Sequence, residues 1–401
     1  MIDERKIAIY NLNTYPEMSG GCERSCLELA KELIRLGEDV RVISLNPFLS
    51  GVNFLQYEGV RIEKLPLLNI YWPTSKKKKS FLRKAIWNLM DIVNLPMSVY
   101  LAMYLKKNGI NILHTNNIKG VSPAIFPIMR LFGIKTVHTT RDYYLLDNGA
   151  WYRDIQSQHN TIILRAKRTL KKLLSSSADF IVYNSKYMKE YHESCLFFKN
   201  KKNQVIYNGF DPSVYKSNTE DKDNVKYTFG FIGRLIEEKG LDLLVNGFLE
   251  FDKDEFNLII AGSTLEEYLL LYPEKEKEKE IRSRTDIIFL GIVDNKLFYH
   301  KVDCVVVPSR YNEPFGRVAM EAIFMGKSVI VSDRGGLPEQ IINGVHGVVC
   351  KDDNYNTAMQ KIYLTRNDKS YNLNLDLNEF TINYCAQAYL DVYKEVSNGQ
   401  K

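Results

Sequence analysis

The sequence predicts an α/β protein made of two doubly wound, Rossmann-like domains, and three observations carry that prediction. The chain has 401 residues, enough for two or three domains at ~100–200 residues each. Short aliphatic runs alternate with segments of helical period in two series, one on each side of a polar stretch at Lys216–Asn224. Apolar residues make up 45% and charged residues 25% of the chain, the balance of a soluble globular protein, which disfavours disordered, collagen-like and membrane-spanning classes.

The elements follow in order. Lys6–Tyr10 reads as a strand, a loop holding Gly20 and Gly21 comes next, and Glu23–Leu36 has helical spacing closed by Gly37. Val40–Ile43 is the next strand, so the chain opens with the β-loop-α-β unit of a parallel sheet covered by helices. Ile110–His114, Thr136–Thr139 and Phe180–Tyr183 continue the strands, with helices over Ser122–Phe132 and Lys186–Glu193. The second series has strands at Tyr227–Gly233, Leu258–Gly262, Ile287–Leu290, Val302–Val307 and Ser328–Ser332. The Lys/Glu alternation around Glu276–Glu280 is a solvated helix face, and Phe380–Val396 is the last strong helical pattern. The expected division is 1–205, 206–378 and a C-terminal helix within 379–401.

Charge is distributed unevenly. The net charge is +6, but Met1–Asn200 holds 29 Lys+Arg against 17 Asp+Glu, and the remainder 25 against 31. Such asymmetry predicts that the first domain faces something anionic. Lys76, Lys77, Lys78, Lys79, Arg83 and Lys84 lead into an apolar stretch, Ala85–Leu105, interrupted by Asn88, Asp91, Asn94 and Pro96. Those interruptions argue against a spanning helix, which needs ~20 mostly apolar residues. Cations beside apolar helices suit an anionic membrane surface, at ~1 kcal/mol per cation, with Phe, Leu, Trp and Ile side chains adding apolar transfer. Nucleic acid is not expected, since no binding motif accompanies the charge.

Six cysteines are too few for a disulfide framework, and Cys22 and Cys26 have no His or further Cys nearby to complete a zinc site. The N-terminus lacks the apolar run of a signal peptide, so a cytoplasmic location is expected.

Two motifs point to chemistry. In Phe231–Gly240 a strand ends at Gly233, and Arg234 and Lys239 follow five residues apart. Both can point at one anion above the strand's carboxyl end, where open α/β sheets bind ligands. Arg offers a planar fork and Lys a movable point charge, which together suit a departing diphosphate. In Ser309–Ala322, Pro314 and Gly316 set a turn before a helix, where the N–H groups of Gly316, Arg317 and Val318 form an anion site. Glu313 and Glu321 flank it, placed to accept hydrogen bonds from two sugars on either side of a diphosphate, with Phe315 in the turn between them. The paired glycines Gly335 and Gly336 permit close backbone approach after another strand.

These residues resemble the retaining family-four glycosyltransferases of the GT-B fold, the group that builds bacterial surface polysaccharides and glycolipids. The likeness covers most of the chain and rests on Gly20-Gly21, the Arg234/Lys239 pair and the Glu313–Glu321 motif. It implies two Rossmann-like domains facing each other across a cleft, with acceptor on the first, nucleotide sugar on the second, and a C-terminal helix returning to the first. Arg234, Lys239 and Glu313 would then be catalytic. Gly20, Gly21, Gly233, Phe315, Gly316, Arg317, Val318 and Glu321 would join them around the donor. Many members carry His-Asp after a first-domain strand. Here Arg141-Asp142 fills that place, and His138 stands three residues earlier, either lining the cleft or satisfied inside the fold.

The expected reaction moves a sugar from a UDP- or GDP-sugar to a glycan or polyprenyl-diphosphate-linked acceptor. Configuration would be retained, with no cofactor and no metal, since no Asp-x-Asp motif borders a cleft strand. The alternatives are a nucleotide-sugar epimerase of the same architecture and a catalytically silent subunit that binds nucleotide sugar or glycan. A nicotinamide dehydrogenase is disfavoured because Asn11–Gly21 contains no Gly-x-Gly-x-x-Gly.

Overall fold

The structure is a computed structural model and describes residues 5–18, 20–73, 80–146, 162–215, 226–341, 346–366 and 377–398. Lys76–Lys79 lie outside the described residues. Contacts divide the chain into two compact units, Met1–Phe210 with Asn378–Lys401, and Asp211–Leu377.

In the first unit β1 (Lys6–Tyr10) leads to α1 (Gly21–Arg35), and β2 (Asp39–Asn46) returns parallel to β1. β3 (Asn53–Tyr57) and β4 (Val60–Pro66) form an antiparallel hairpin at the sheet edge. Then come α2 (Phe81–Ile92), α3 (Leu95–Lys107), β5 (Ile112–Thr115), α4 (Ile125–Leu131) and β6 (Lys135–Thr140). α5 (Ile162–Ser175), β7 (Phe180–Tyr183), α6 (Lys186–Ser194) and β8 (Asn203–Val205) complete the series. The sheet order is β3-β4-β2-β1-β5-β6-β7-β8. Ile7, Ile9, Val42, Ile112 and Val137 alternate toward a core shared with Leu29, Ala30 and Leu33 of α1; such burial stabilises by ~1.5–3 kcal/mol per large side chain.

The hairpin β3–β4 is absent from the sequence-based expectation for a physical reason. In β4 the buried positions include Glu63 and Lys64, whose charge makes them read as exposed in the sequence. Burial is tolerated because Arg41 meets Glu63 at 3.2 Å and Lys64 pairs with Glu17.

The second unit runs β9 (Tyr227–Ile232), α7 (Leu241–Phe248), β10 (Phe256–Ala261), α8 (Leu265–Leu271), α9 (Lys275–Ser283), β11 (Ile287–Gly291), α10 (Asn295–Lys301) and β12 (Cys304–Val307). It ends with α11 (Arg317–Phe324), β13 (Ser328–Ser332), β14 (Gly347–Cys350) and α12 (Tyr355–Thr365). Its strands are parallel in the order β11-β10-β9-β12-β13-β14. The strand order reverses between β9 and β12, the switch point at which such sheets bind ligands beyond their carboxyl ends.

The last helix, α13 (Ile382–Asn398), belongs to the first unit and packs on α1 and β6. Phe210 N–H donates to the Phe380 carbonyl at 2.8 Å, and Ile382 N–H to the Phe210 carbonyl at 2.8 Å, stitching the helix to the end of the first chain segment. Inside the unit, the His114 ring joins Tyr393 Oη and Thr139 Oγ1, each at 2.7 Å, and Tyr389 Oη lies 2.9 Å from the same threonine oxygen. Burial drives the His114 pKa well below its usual value, so the ring is neutral.

Among the described residues no helix is long and apolar enough to cross a membrane. The apolar stretch 85–105 is divided between α2 and α3, with Asn94 capping α3 through the Met97 N–H at 3.1 Å. Of the Trp and Ile side chains in this stretch, Ile86 is 42% exposed and two others turn inward. Trp87 and Ile92 are buried, and the Trp87 indole N–H donates to the Tyr71 carbonyl at 3.0 Å.

Candidate active site

In the second unit the loops after β9 and β12 meet at the switch point. The β9 loop passes Gly233 and the exposed Arg234, then forms a short 3-10 turn over Glu237–Lys239 closed by Gly240. Gly240 has φ +64, and an added Cβ would stand 2.0 Å from the Pro308 carbonyl oxygen. Only glycine lets the two loops approach so closely. The β12 loop is bound to that turn by its backbone, with Arg310 N–H and Tyr311 N–H donating to the Glu238 carbonyl at 2.9 and 3.2 Å.

This contact brings Lys239 and Glu313 together. Lys239 Nζ lies 2.5 Å from Glu313 Oε1, and Ser309 Oγ donates to the same oxygen at 3.1 Å. The carboxylate is mostly buried and the ammonium about a quarter exposed, so the lysine is held in place while still open to a second anion. Ser309, to which the motif's spacing assigns no role, holds the glutamate carboxylate through its hydroxyl. Arg310 braces the loop from behind with a bidentate bridge to Asp242 at 2.5 and 2.6 Å.

The turn before α11 is built from its neighbours. Gly316 caps the helix in left-handed backbone, Phe315 is buried, and the Gln340 amide donates to the Phe315 carbonyl. Gly336 N–H donates to the Glu313 carbonyl at 2.7 Å. At Gly335, with φ +65, a Cβ would meet the Glu313 backbone at 2.3 Å, so the paired glycines act by holding the Glu313 peptide. The N–H groups of Arg317 and Val318 open the helix, a position favourable to an anion.

Glu321 lies one turn further in and is buried. Its Oε2 accepts from Tyr299 Oη at 3.0 Å and Asn295 Nδ2 at 3.4 Å, and its Oε1 from Arg317 Nε at 3.3 Å. Arg317, expected beside the donor, thus turns its buried guanidinium to the carboxylate of its own helix. Tyr299 and Asn295 of α10 are partners that the motif alone did not reveal, because they come from a different element.

In the first unit Gly20 and Gly21 start α1. Gly20 is the extended cap residue, and a Cβ there would stand 3.1 Å from Glu23 Oε2. Arg141, just past β6, is buried and donates to Asn116 Oδ1 at 2.7 Å and to Asn208 Oδ1. These amides follow β5 and β8, elements distant in sequence from Arg141. Asp142 is half-buried and accepts the Tyr144 N–H at 2.9 Å; burial raises its pKa to about 6. His138 takes the second of its two expected places. It is buried between Phe126 and Phe198, its Nδ1 is 2.9 Å from Thr115 Oγ1, and burial lowers its pKa to about 3. Among the described residues no three His, Cys, Asp or Glu side chains are placed to hold a metal ion.

A two-unit α/β molecule with parallel sheets and cation-carboxylate chemistry at the second unit's switch point belongs to the GT-B class of glycosyltransferases. The family models divide the chain likewise: "Glycosyltransferase Family 4" matches residues 19–214 and "Glycosyl transferases group 1" residues 216–381. The chain is a family-four glycosyltransferase of the GT-B fold. It is 30% identical over 392 residues to an uncharacterized 42.6 kDa protein in the cps region of Klebsiella pneumoniae, covering 97% of this chain and 99% of that one. It is 26% identical over 216 residues to the lipopolysaccharide 1,2-N-acetylglucosaminetransferase of Salmonella typhimurium, covering 49% of this chain and 55% of that one. The fold matches Anabaena HepE in complex with UDP at a TM-score of 0.73 and 16% identity, covering 97% of this chain and 100% of that one.

Proposed function

We propose that this glycosyltransferase moves a sugar from a UDP- or GDP-sugar to a hydroxyl of a glycan or polyprenyl-diphosphate-linked glycan, with retention of configuration and without a metal, during synthesis of a bacterial surface polysaccharide at the cytoplasmic face of the membrane. The observation that carries the reading is the Lys239–Glu313 pair beside the N-terminus of α11. Relatives in a cps region and in lipopolysaccharide synthesis support the product class, and the UDP complex of a protein with the same fold supports the donor class.

In this mechanism the diphosphate sits at the Arg317 and Val318 N–H groups, with Lys239 and Arg234 taking up the charge that develops as the sugar leaves. Glu313 orients the sugar through its hydroxyls and keeps Lys239 in place, and Glu321 accepts from the ribose. No carboxylate is assigned as a nucleophile. The departing phosphate takes the acceptor proton on the same face, which conserves the anomeric configuration.

Thermal shift with uridine, guanosine and adenosine diphosphates tests the donor, because a ligand of the folded state raises the melting temperature by mass action. Proton NMR of the product anomer tests retention, and activity in chelator tests metal independence. No shift with any of the three nucleotides would overturn the reading.

A further inference from the structure

We infer that Arg141 and Asn208 form a carboxylate site in the first unit, and that the sugar it reads is a uronate. The inference names a substrate class for the transferase reading above and rests on it for its purpose, although binding of an acidic sugar is measurable without transfer.

Three arginines are buried among the described residues, Arg41, Arg141 and Arg317. Two of them face a carboxylate: Arg41 meets Glu63 at 3.2 Å and Arg317 meets Glu321 at 3.3 Å. Arg141, 8% exposed, meets only amide oxygens, Asn116 Oδ1 at 2.7 Å through Nε and Asn208 Oδ1 through Nη1. Asp142, the next residue, is engaged elsewhere: it accepts the Tyr144 N–H at 2.9 Å, and the cations that act on it are Lys171 and Lys119. The side chains that act most strongly on Arg141 are Tyr389, Cys26, Cys22 and Cys385, a phenol and three thiols. A guanidinium does not shed its proton, so the charge stays, and a buried charge without a counter-ion is costly. The amides satisfy its hydrogen bonds and leave its charge unanswered.

The position is one that a ligand can reach. Strand order in this sheet reverses between β1 and β5, and parallel pairing sets Tyr10 beside Thr115, Thr115 beside His138 and Thr140 beside Tyr183. Asn116, Arg141 and Asn208 therefore stand beyond the carboxyl ends of β5, β6 and β8, where open α/β sheets bind ligands. Arg141 Nη2 and Asn208 Nδ2 take no acceptor among the described residues, and neither belongs to the sealed polar atoms of the interior. Two donors on hydrogen-bonded neighbours are thus still open.

The chemistry of the site selects the ligand. One fixed cation with an amide N–H beside it suits a single negative charge spread over two oxygens in a plane, which is a carboxylate. A phosphate monoester carries about −1.5 to −2 at pH 7, more than one guanidinium balances. The lysines of this region, Lys119 and Lys171, do not make up the difference, since they act on Asp142 and Asp91. A neutral sugar would leave the arginine as it is. A uronate brings the missing charge together with the hydroxyls that a glycosyltransferase handles.

Calorimetry on the full chain tests this with matched pairs. For a donor these are UDP-glucuronate beside UDP-glucose, UDP-galacturonate beside UDP-galactose and GDP-mannuronate beside GDP-mannose; for an acceptor, the methyl glycosides of the same sugars. At least one uronate should bind about tenfold or more tighter than its neutral partner, as a charge-assisted contact requires, and the arm in which it does so tells which substrate carries the carboxylate. Arg141→Gln should erase that preference while leaving affinity for the nucleoside diphosphate itself within about twofold, and Arg141→Lys should restore part of it. Should Arg141→Gln fail to fold, Asn208→Asp gives the same answer: it supplies the carboxylate from the protein itself, so it should melt no lower than wild type and lose the preference. Wild-type protein that prefers no uronate in any pair would overturn the inference. So would an Asn208→Asp chain that keeps the preference, or inorganic phosphate that binds more tightly than every uronate and is lost in Arg141→Gln. A chain that binds a nucleoside diphosphate but separates no pair keeps the transferase reading and loses the uronate. One that separates a glycoside pair but binds no nucleoside diphosphate keeps the carboxylate site and sinks the transferase mechanism.

Discussion

Lys239 and Glu313 are 74 residues apart in sequence, and each depends on the other for its position. Removing the lysine takes away charge stabilisation and leaves a mostly buried carboxylate without its cation. Lys239→Ala should lower turnover by ~10²–10³ with a smaller change in KM, in line with other preorganised charge donors. Steady-state kinetics checks this, and near-wild-type turnover would remove Lys239 from the mechanism. Asp142 gives a pH-dependent prediction. Its pKa is raised from 3.8 to about 6, so its share of stability is present below pH 3.8 and lost as pH rises through 6. Asp142→Asn should match wild type near pH 4 and exceed it at pH 7.5 by up to about 3 kcal/mol, as read by urea unfolding at both pH values. At this scale the sequence revealed residues that lie within one loop, such as Glu313 and Gly316. It hid partners brought in by other elements: Asn116 and Asn208 for Arg141, Tyr299 and Asn295 for Glu321. Nothing in the spacing around Arg317 said that its guanidinium would turn to Glu321.

Elements show the same contrast between local and distant causes. Phe180–Tyr183 and Ser328–Ser332 begin and end where the apolar runs do, because each strand is fully or nearly buried and flanked by loop residues. The edge hairpin β3–β4 escaped because two of its buried residues, Glu63 and Lys64, are charged and are satisfied by Arg41 and Glu17 from elsewhere in the unit. Glycines can be sorted the same way. Gly335 and Gly326 share left-handed backbone, but a Cβ at Gly335 meets the Glu313 backbone, whereas at Gly326 nothing lies within 4 Å. Gly326→Ala should cost ~1 kcal/mol of stability and leave nucleotide affinity intact. Gly335→Ala should push the Glu313 loop away and weaken binding of the diphosphate product by about tenfold or more. Calorimetry on both variants separates the two effects, and equal affinities would show that the Glu313 loop does not need that close approach.

On the scale of the whole molecule, acid should weigh more heavily on the first unit, which among the described residues holds three buried histidines of lowered pKa against His346 in the second. His114, His138 and His192 are buried and neutral in the first unit, with pKa values driven down by burial, to about 3 for His138 and about 4 for His192. Stability from a depressed histidine is complete above its unfolded value, near 6.5, and falls as pH drops below it, by up to about 1.4 kcal/mol per pH unit for each ring. Asp142 and Asp91, both raised by burial, oppose this in part at lower pH. The chain's three tryptophans, Trp72, Trp87 and Trp151, all belong to the first unit. Their emission should therefore report a melting temperature that drops between pH 7 and pH 6. A flat profile would mean that the rings accept protons without unfolding.

The place of α13 has a consequence for synthesis. Its tyrosines complete the polar network around His114, yet all of Asp211–Leu377 emerges from the ribosome before them. The portion translated first is therefore the portion finished last, and it waits with an open flank while the later unit can already close. Loss of α13 would injure the unit made before Asp211–Leu377 and leave Asp211–Leu377 itself whole.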